Sequence, residues 1–162
     1  MNTNKLWAPW RINYIRNCRQ KKCIFCESTK NIRKNFVIFK TPHSVAMLNI
    51  FPYNNGHILV SPLRHVKELR LLKNTEILDL FSTLTKAKAL LEKVLKPDGF
   101  NIGINIDQSA GAGIIGHLHI HIVPRWTGDT NFMPVLYGTK IISQSLDELY
   151  KQLLSNAKSK TD

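Results

Sequence analysis

The chain is short of acid. Its 162 residues hold 11 Asp and Glu against 23 Lys and Arg, a formal net charge of +12. The deficit is concentrated: residues 1–40 carry ten Lys or Arg and a single acid, Glu27, and so supply +9 of the excess. Such a balance suggests phosphate-bearing partners, although a solvated lysine-rich surface gives the same count. Cysteine is also scarce. Three in this length are too few for a disulfide scaffold and read as thiols or metal ligands. No apolar run approaches the ~20 residues of a membrane span. No apolar stretch follows Met1–Lys5, so no secretory signal is expected and the chain is placed in the cytoplasm. There is no internal repeat and no low-complexity stretch. A hydrophobic share of 43% with 21% charged residues excludes a chain disordered throughout. The length suits one domain, residues 1–155 with a basic N-terminal extension, and residues 156–162 read as a flexible tail.

Three short apolar runs, 36–39, 45–49 and 57–61, read as strands. The last two flank Pro52-Tyr53-Asn54-Asn55-Gly56 and are expected to pair as an antiparallel hairpin. A long helix is expected over 76–96, where Ile77, Leu80, Phe81, Leu84, Leu91, Val94 and Leu95 recur at three- and four-residue steps. Asn74 or Thr75 is its expected cap, and Pro97 and Gly99 end it. Residues 100–107 alternate, with Ile102, Ile104 and Ile106 on one face of a half-buried strand. After the loop Ala110-Gly111-Ala112-Gly113, residues 117–123 alternate again. Ser145 and Glu148 form a capping box for a helix near 145–155. The sum is an α+β domain, an antiparallel sheet with one long helix and a C-terminal helix.

The chemistry concentrates in His117, His119 and His121. Strand period places all three imidazoles on one face, roughly 6.5 Å apart, with Leu118, Ile120 and Ile122 pointing into a core. Gly111, Gly113 and Gly116 stand just before them, where glycine backbone approaches a phosphate closely and offers it N–H donors. An anion site beside an imidazole suits phosphoryl or nucleotidyl transfer. The loop lacks the Gly-Lys-Ser/Thr ending of a P-loop. Cys23-Ile24-Phe25-Cys26 is half of a metal site that needs two further ligands. A thioredoxin-like redox pair is the competing reading, with no βαβ context to favour it, and two unligated thiols are a third. Cys18 has no partner and reads as a plain small residue. His43, after Pro42, reads as a surface residue.

His117 to Val123 fit the pattern His-φ-His-φ-His-φ-φ, with φ apolar, at every position, and so the chain resembles the histidine triad superfamily. Leu48-Asn49, a short link, and Gly56-His57-Ile58-Leu59-Val60-Ser61-Pro62 resemble the hairpin that cradles the nucleotide in that family. Together with the long helix, the resemblance covers roughly residues 20–125. At the two ends, Leu6-Trp7-Ala8-Pro9-Trp10-Arg11 and the segment Pro124 to Val135 are similar to a bacterial branch of diadenosine tetraphosphate phosphorylases, or ATP adenylyltransferases. Packing of the terminal segments is the alternative reading of Trp7, Trp10 and Trp126. One departure stands out. Many triad hydrolases carry Gln four residues before the first triad histidine, where this chain has Gly113.

The resemblance implies the histidine triad fold, a homodimer, and transfer or hydrolysis at the α-phosphate of an adenosine nucleotide. His119 is the implied nucleophile, forming an adenylyl-imidazole, and His121 holds a phosphate or bridging oxygen. Asn49 is the implied ribose ligand, and His57, Asn105 and Gly113 are expected at the nucleotide. Resemblance to zinc-bearing triad proteins and galactose-1-phosphate uridylyltransferases implies a tetrahedral zinc set of Cys23, Cys26, His65 and His117. Phosphorolysis of diadenosine tetraphosphate is the expected reaction, with inorganic phosphate as acceptor. Three features favour it: Gly113, Arg125 as a forked cation for phosphate, and the 124–135 extension. Dinucleoside polyphosphate hydrolysis and phosphoramidase activity are the alternatives. A nucleic-acid-end binder using the basic N-terminal segment, or a nucleotide-binding regulator, would belong to a different class.

Overall fold

The computed structural model describes residues 23–130 and 142–157. Trp7, Trp10, Cys18, most of the basic segment, positions 131–135 of the extension and 158–162 of the tail lie outside the described residues. The elements are α1 (Ile24–Ser28), β1 (Val37–Lys40), β2 (Ser44–Leu48), β3 (Ile58–Pro62), α2 (Asn74–Leu95), β4 (Gly99–Gly103), β5 (Ile120–Arg125) and α3 (Leu146–Ala157). The strands form one antiparallel sheet in the order β1-β2-β3-β5-β4. The expected hairpin is present, with β2 and β3 paired from Ser44↔Pro62 to Leu48↔Ile58. Helix α2 carries the chain across the sheet, β4 forms an outer strand, and β5 returns between β3 and β4.

The two faces of the sheet are packed differently. Ala46, Leu48, Ile58, Val60, Leu118, Ile120 and Ile122 face α2 and α3 and build the main core with Leu80, Leu84, Leu91, Leu149 and Leu153. Phe25, Val37, Val45, Met47 and Leu59 form a smaller cluster. The alternation in 117–123 therefore holds, although the strand ladder begins only at Ile120. Ahead of it, the Leu118 N–H donates to the Val66 carbonyl, and Ser61 Oγ donates to the Leu118 carbonyl.

Several expectations need correction. Phe81 is 55% exposed rather than part of the buried stripe. Each residue turns a helix by about 100°, so Phe81 lies a quarter-turn off the line through Leu80, Leu84 and Leu91. Asn74 and Thr75 lie inside α2, and Lys73 is the cap residue. The Glu76 carboxylate accepts the Lys73 N–H at 2.8 Å and is gripped by Arg64 at 2.7 and 2.8 Å. Its carboxyl is held down at about 2, first by Arg64 and then by that backbone donor. The strand expected over 100–107 ends at Gly103. Ile104 packs against the main core. Ile102 and Ile106, at 46% and 44% exposure, do not share a buried face. Ile102 sits on the outer strand, and Asp107, at φ 63°, turns the chain away. Helix α3 reaches Ala157, two residues beyond its expected end, taking in the first part of the expected tail. Its cap is as expected, with the Glu148 N–H donating to Ser145 Oγ. No sequence signal announced α1, a single short turn of helix inside the cysteine motif.

Candidate active site

The three triad histidines and His57 are all buried, between 1% and 8% exposed. Burial disfavours the charged imidazole. It depresses His57 to about 3 and His117 and His121 to about 4, and it lowers His119 as well. Neutral imidazoles have one N–H and one lone pair each, so their partners fix which nitrogen does what.

His119 Nδ1 lies 2.8 Å from the His117 carbonyl oxygen. A carbonyl only accepts, so Nδ1 carries the proton and Nε2 is left as a lone pair. His117 Nε2 lies 2.8 Å from the Pro62 carbonyl, which by the same logic leaves His117 Nδ1 unprotonated. His57 Nδ1 accepts the Tyr53 N–H at 3.1 Å, so His57 Nε2 donates to His121 Nδ1 at 2.9 Å. The proton of His121 then resides on Nε2, which is buried without a hydrogen-bond partner among the described residues. Two neighbouring rings, with centroids 4.9 Å apart, thus present opposite functions: a lone pair on His119 Nε2 and a donor on His121 Nε2.

His117 serves the other half of the site. Cys23 Sγ is 3.1 Å and Cys26 Sγ 3.6 Å from its Nδ1, and Cys26 Sγ is 3.3 Å from His65 Nδ1. The four donor atoms lie within 4.8 Å of one another. Tetrahedral zinc, with bonds of about 2.3 Å to sulfur and 2.0–2.1 Å to nitrogen, sets sulfur–nitrogen separations of roughly 3.6 Å. The donor set therefore fits such an ion, and the Nε2–H tautomer of His117 leaves the Nδ1 lone pair toward the thiols. The structure brings together all four residues expected there.

Asn49 lies beside His57, its Nδ2 3.3 Å from His57 Nδ1, while its Oδ1 accepts the Phe51 N–H. Both ring nitrogens of His57 are engaged within the protein, so its reach toward a nucleotide runs through His121. Asn105 follows β4, its amide 4.0 Å from where a Cβ on Gly111 would stand. Gly113 is exposed in the loop before the triad. His43 is exposed, as expected. Arg125 is not a free phosphate ligand: its guanidinium bonds the Asp129 carboxylate at 2.7 and 2.9 Å and Asn101 Oδ1 at 2.6 Å. That finding removes one of the three arguments for phosphorolysis. Sequence reasoning missed Tyr53, whose ring lies nearly parallel to that of His121 at 5.5 Å, and Phe25, packed against two triad rings. Neither contact is local: Phe25 reaches the triad from α1, inside the cysteine motif, and Tyr53 from the loop between β2 and β3.

Burial of neutral histidines makes stability pH-dependent with a definite sign. Unfolded His57 and His121 titrate near 6.5, whereas in the fold they resist protonation until about 3 and 4. Between those values the unfolded chain binds more protons, so their contribution is complete above pH 6.5 and is lost as pH falls toward 4. Melting temperature is expected to stay level from pH 8 to 7 and to drop through this window. The variant His57→Gln should show a shallower drop in scanning calorimetry.

Comparison with known proteins agrees with this geometry. Residues 30–128 match the HIT domain family. An AP-4-A phosphorylase of Mycobacterium tuberculosis is 36% identical over 159 residues, covering 92% of this chain and 82% of that protein. The asymmetrical bis(5'-nucleosyl)-tetraphosphatase of Schizosaccharomyces pombe is 37% identical over 102 residues, 63% of this chain and 56% of that one. The crystal structure of a hypothetical histidine triad nucleotide-binding protein from Sulfolobus tokodaii superposes with a TM-score of 0.67 at 26% identity, over 83% of this chain and 89% of the other. With the spaced histidines, the sheet that carries them and the matched stretch all in agreement, this chain belongs to the HIT domain family.

Proposed function

We propose that the chain is a nucleotidyl transferase that cleaves diadenosine tetraphosphate at an α-phosphate by way of a covalent adenylyl-histidine. One observation carries the reading: a lone pair on His119 Nε2 stands beside an unpartnered N–H on His121 Nε2. The similarity to an AP-4-A phosphorylase along 92% of the chain names the substrate class. In the first step, His119 Nε2 attacks the α-phosphorus. A P–N bond forms, the bridging P–O bond breaks, and ATP departs with His121 Nε2–H donating to the bridging oxygen. The positive charge that develops on the His119 ring is shared through Nδ1–H with the His117 carbonyl. In the second step an oxygen of inorganic phosphate attacks on the same line, the P–N bond breaks and ADP leaves. Two easier displacements replace one difficult one, and positioned donors do most of the remaining work.

Asn49, beside His57, would take the ribose hydroxyls. Asn105 and the exposed backbone of Gly113 would serve the phosphates, since Gly113 leaves room where a glutamine amide would otherwise stand. Cys23, Cys26, His65 and His117 would hold a structural zinc, which stiffens the backbone whose carbonyl orients His119. A homodimer is part of the same reading: β4 offers an outer strand edge with a half-exposed Ile102 to a second copy. Among the described residues no helix is long and apolar enough to cross a membrane.

The acceptor is decided by product analysis. Incubated with diadenosine tetraphosphate in excess phosphate, the protein should yield ADP and ATP faster than in phosphate-free buffer. Heavy oxygen from labelled water should stay out of the mononucleotide. AMP that carries the label, with no ADP, would make the chain a hydrolase and leave the adenylyl-histidine step intact.

A further inference from the structure

The residues between Cys23 and Cys26 part company. Ile24 is 36% exposed, whereas Phe25 is completely buried. The ring of Phe25 lies with its centroid 5.0 Å from that of His117 and 5.0 Å from that of His119. On another side of His119 is the ring of His121, 4.9 Å away. Among the described residues, His119 thus has ring neighbours in Phe25 and His121 and one hydrogen bond, from Nδ1 to the His117 carbonyl. A single hydrogen bond leaves an imidazole free to swivel about it. In-line attack at phosphorus tolerates only small errors of orientation, so a second constraint on the ring plane is required, and the Phe25 ring supplies it. Phe25 is itself anchored twice: by its neighbours in the cysteine motif and by packing with Val37, Val45, Met47 and Leu59.

We propose that Phe25 is a positioning residue for the nucleophile: its ring, wedged between the cysteine motif and His119, holds the His119 imidazole in line with the α-phosphorus. This rests on the reading of His119 as the nucleophile. The cysteine motif and the nucleophile then share a wall, so the element that closes the metal site also aims the reactive ring.

The test compares Phe25→Leu with Val37→Ala. Both loosen the same small cluster, but Val37 lies on β1, separated from β5 by two strands. Phe25→Leu is expected to lower kcat for diadenosine tetraphosphate by about 10- to 100-fold, with KM and AMP affinity within about threefold and metal content unchanged. Val37→Ala is expected to keep kcat within about twofold at a comparable loss of melting temperature. The ring-proton resonances of His119, displaced in the wild type by the Phe25 ring current, should move in Phe25→Leu and stay put in Val37→Ala. Equal rates in the two variants, unmoved His119 resonances, or loss of metal together with rate would each overturn the proposal. If Phe25→Leu does not fold, Phe25→Met takes its place. Independently of either variant, the wild type must show nuclear Overhauser contacts between the Phe25 ring and His119, and their absence overturns the proposal. The resonance readout needs no turnover, so a wild type inert toward the dinucleotide would sink the proposed reaction without deciding this one.

Discussion

His119→Ala is expected to lose turnover of diadenosine tetraphosphate by on the order of 10⁴-fold or more while keeping AMP affinity within about tenfold. The asymmetry follows from where the ring stands. Its Nδ1 is spent on the His117 carbonyl, so the proposed role of Nε2 is chemical, and little ground-state binding goes with it. Its neighbours remain: His121 keeps its hydrogen bond to His57, and Asn49 keeps its place beside that pair. Removal of a covalent nucleophile abolishes the two-step route, and only direct displacement is left. Rapid-quench kinetics together with calorimetric AMP titration read both halves. Residual turnover above roughly one per cent of wild type would show that another group attacks the phosphorus. Wild-type protein quenched in alkaline denaturant, which preserves the acid-labile P–N bond, should in addition carry one adenylyl group, absent from the variant, in intact-mass spectra.

Cys23→Ser should cost the protein its metal, much of its thermal stability and part of its rate. Elemental analysis of the wild type, purified without chelators, is expected to find about one zinc per chain. Cys23 Sγ lies 3.1 Å from His117 Nδ1, and a serine hydroxyl is a poor substitute for thiolate toward that ion. Free energy of binding to the folded site is free energy of folding. A loss of about 3 kcal/mol would lower the melting temperature by roughly 6–12 °C. The rate should fall about tenfold, because the carbonyl that orients His119 belongs to His117. A metal-free wild type whose melting matches that of Cys23→Ser would leave the four residues as unligated thiols and imidazoles.

How far the sequence could be read depended on the range of the interaction. The β2–β3 hairpin and the face of His117, His119 and His121 follow from local period and turn residues, and both are present. The cysteine–histidine cluster spans 94 residues from Cys23 to His117, and only resemblance to a family could join its members. Ile102 is apolar and in period, yet exposed, because period says nothing about where a neighbouring element stops, and Phe81 is exposed because it lies a quarter-turn off the buried line of α2. Arg125 looked free because its partner, Asp129, lies a turn beyond the strand. Tautomers were out of reach altogether: they depend on the carbonyls of Pro62 and His117 and on the Tyr53 N–H, and a backbone group has no letter in the sequence.

The position of β5 also governs when the site comes into being. It is the last strand among the described residues and it fills the gap between β3 and β4. Until residues 120–125 have left the ribosome, β3 and β4 each present an open edge, and unpaired edges recruit other strands. The nascent chain therefore passes most of its synthesis with half a sheet. His117, His119 and His121 arrive with the closing strand, so the proposed nucleotide site forms only when the gap between β3 and β4 is filled. On the proposed reading, a pulse-labelled chain that retains AMP has already closed the gap between β3 and β4.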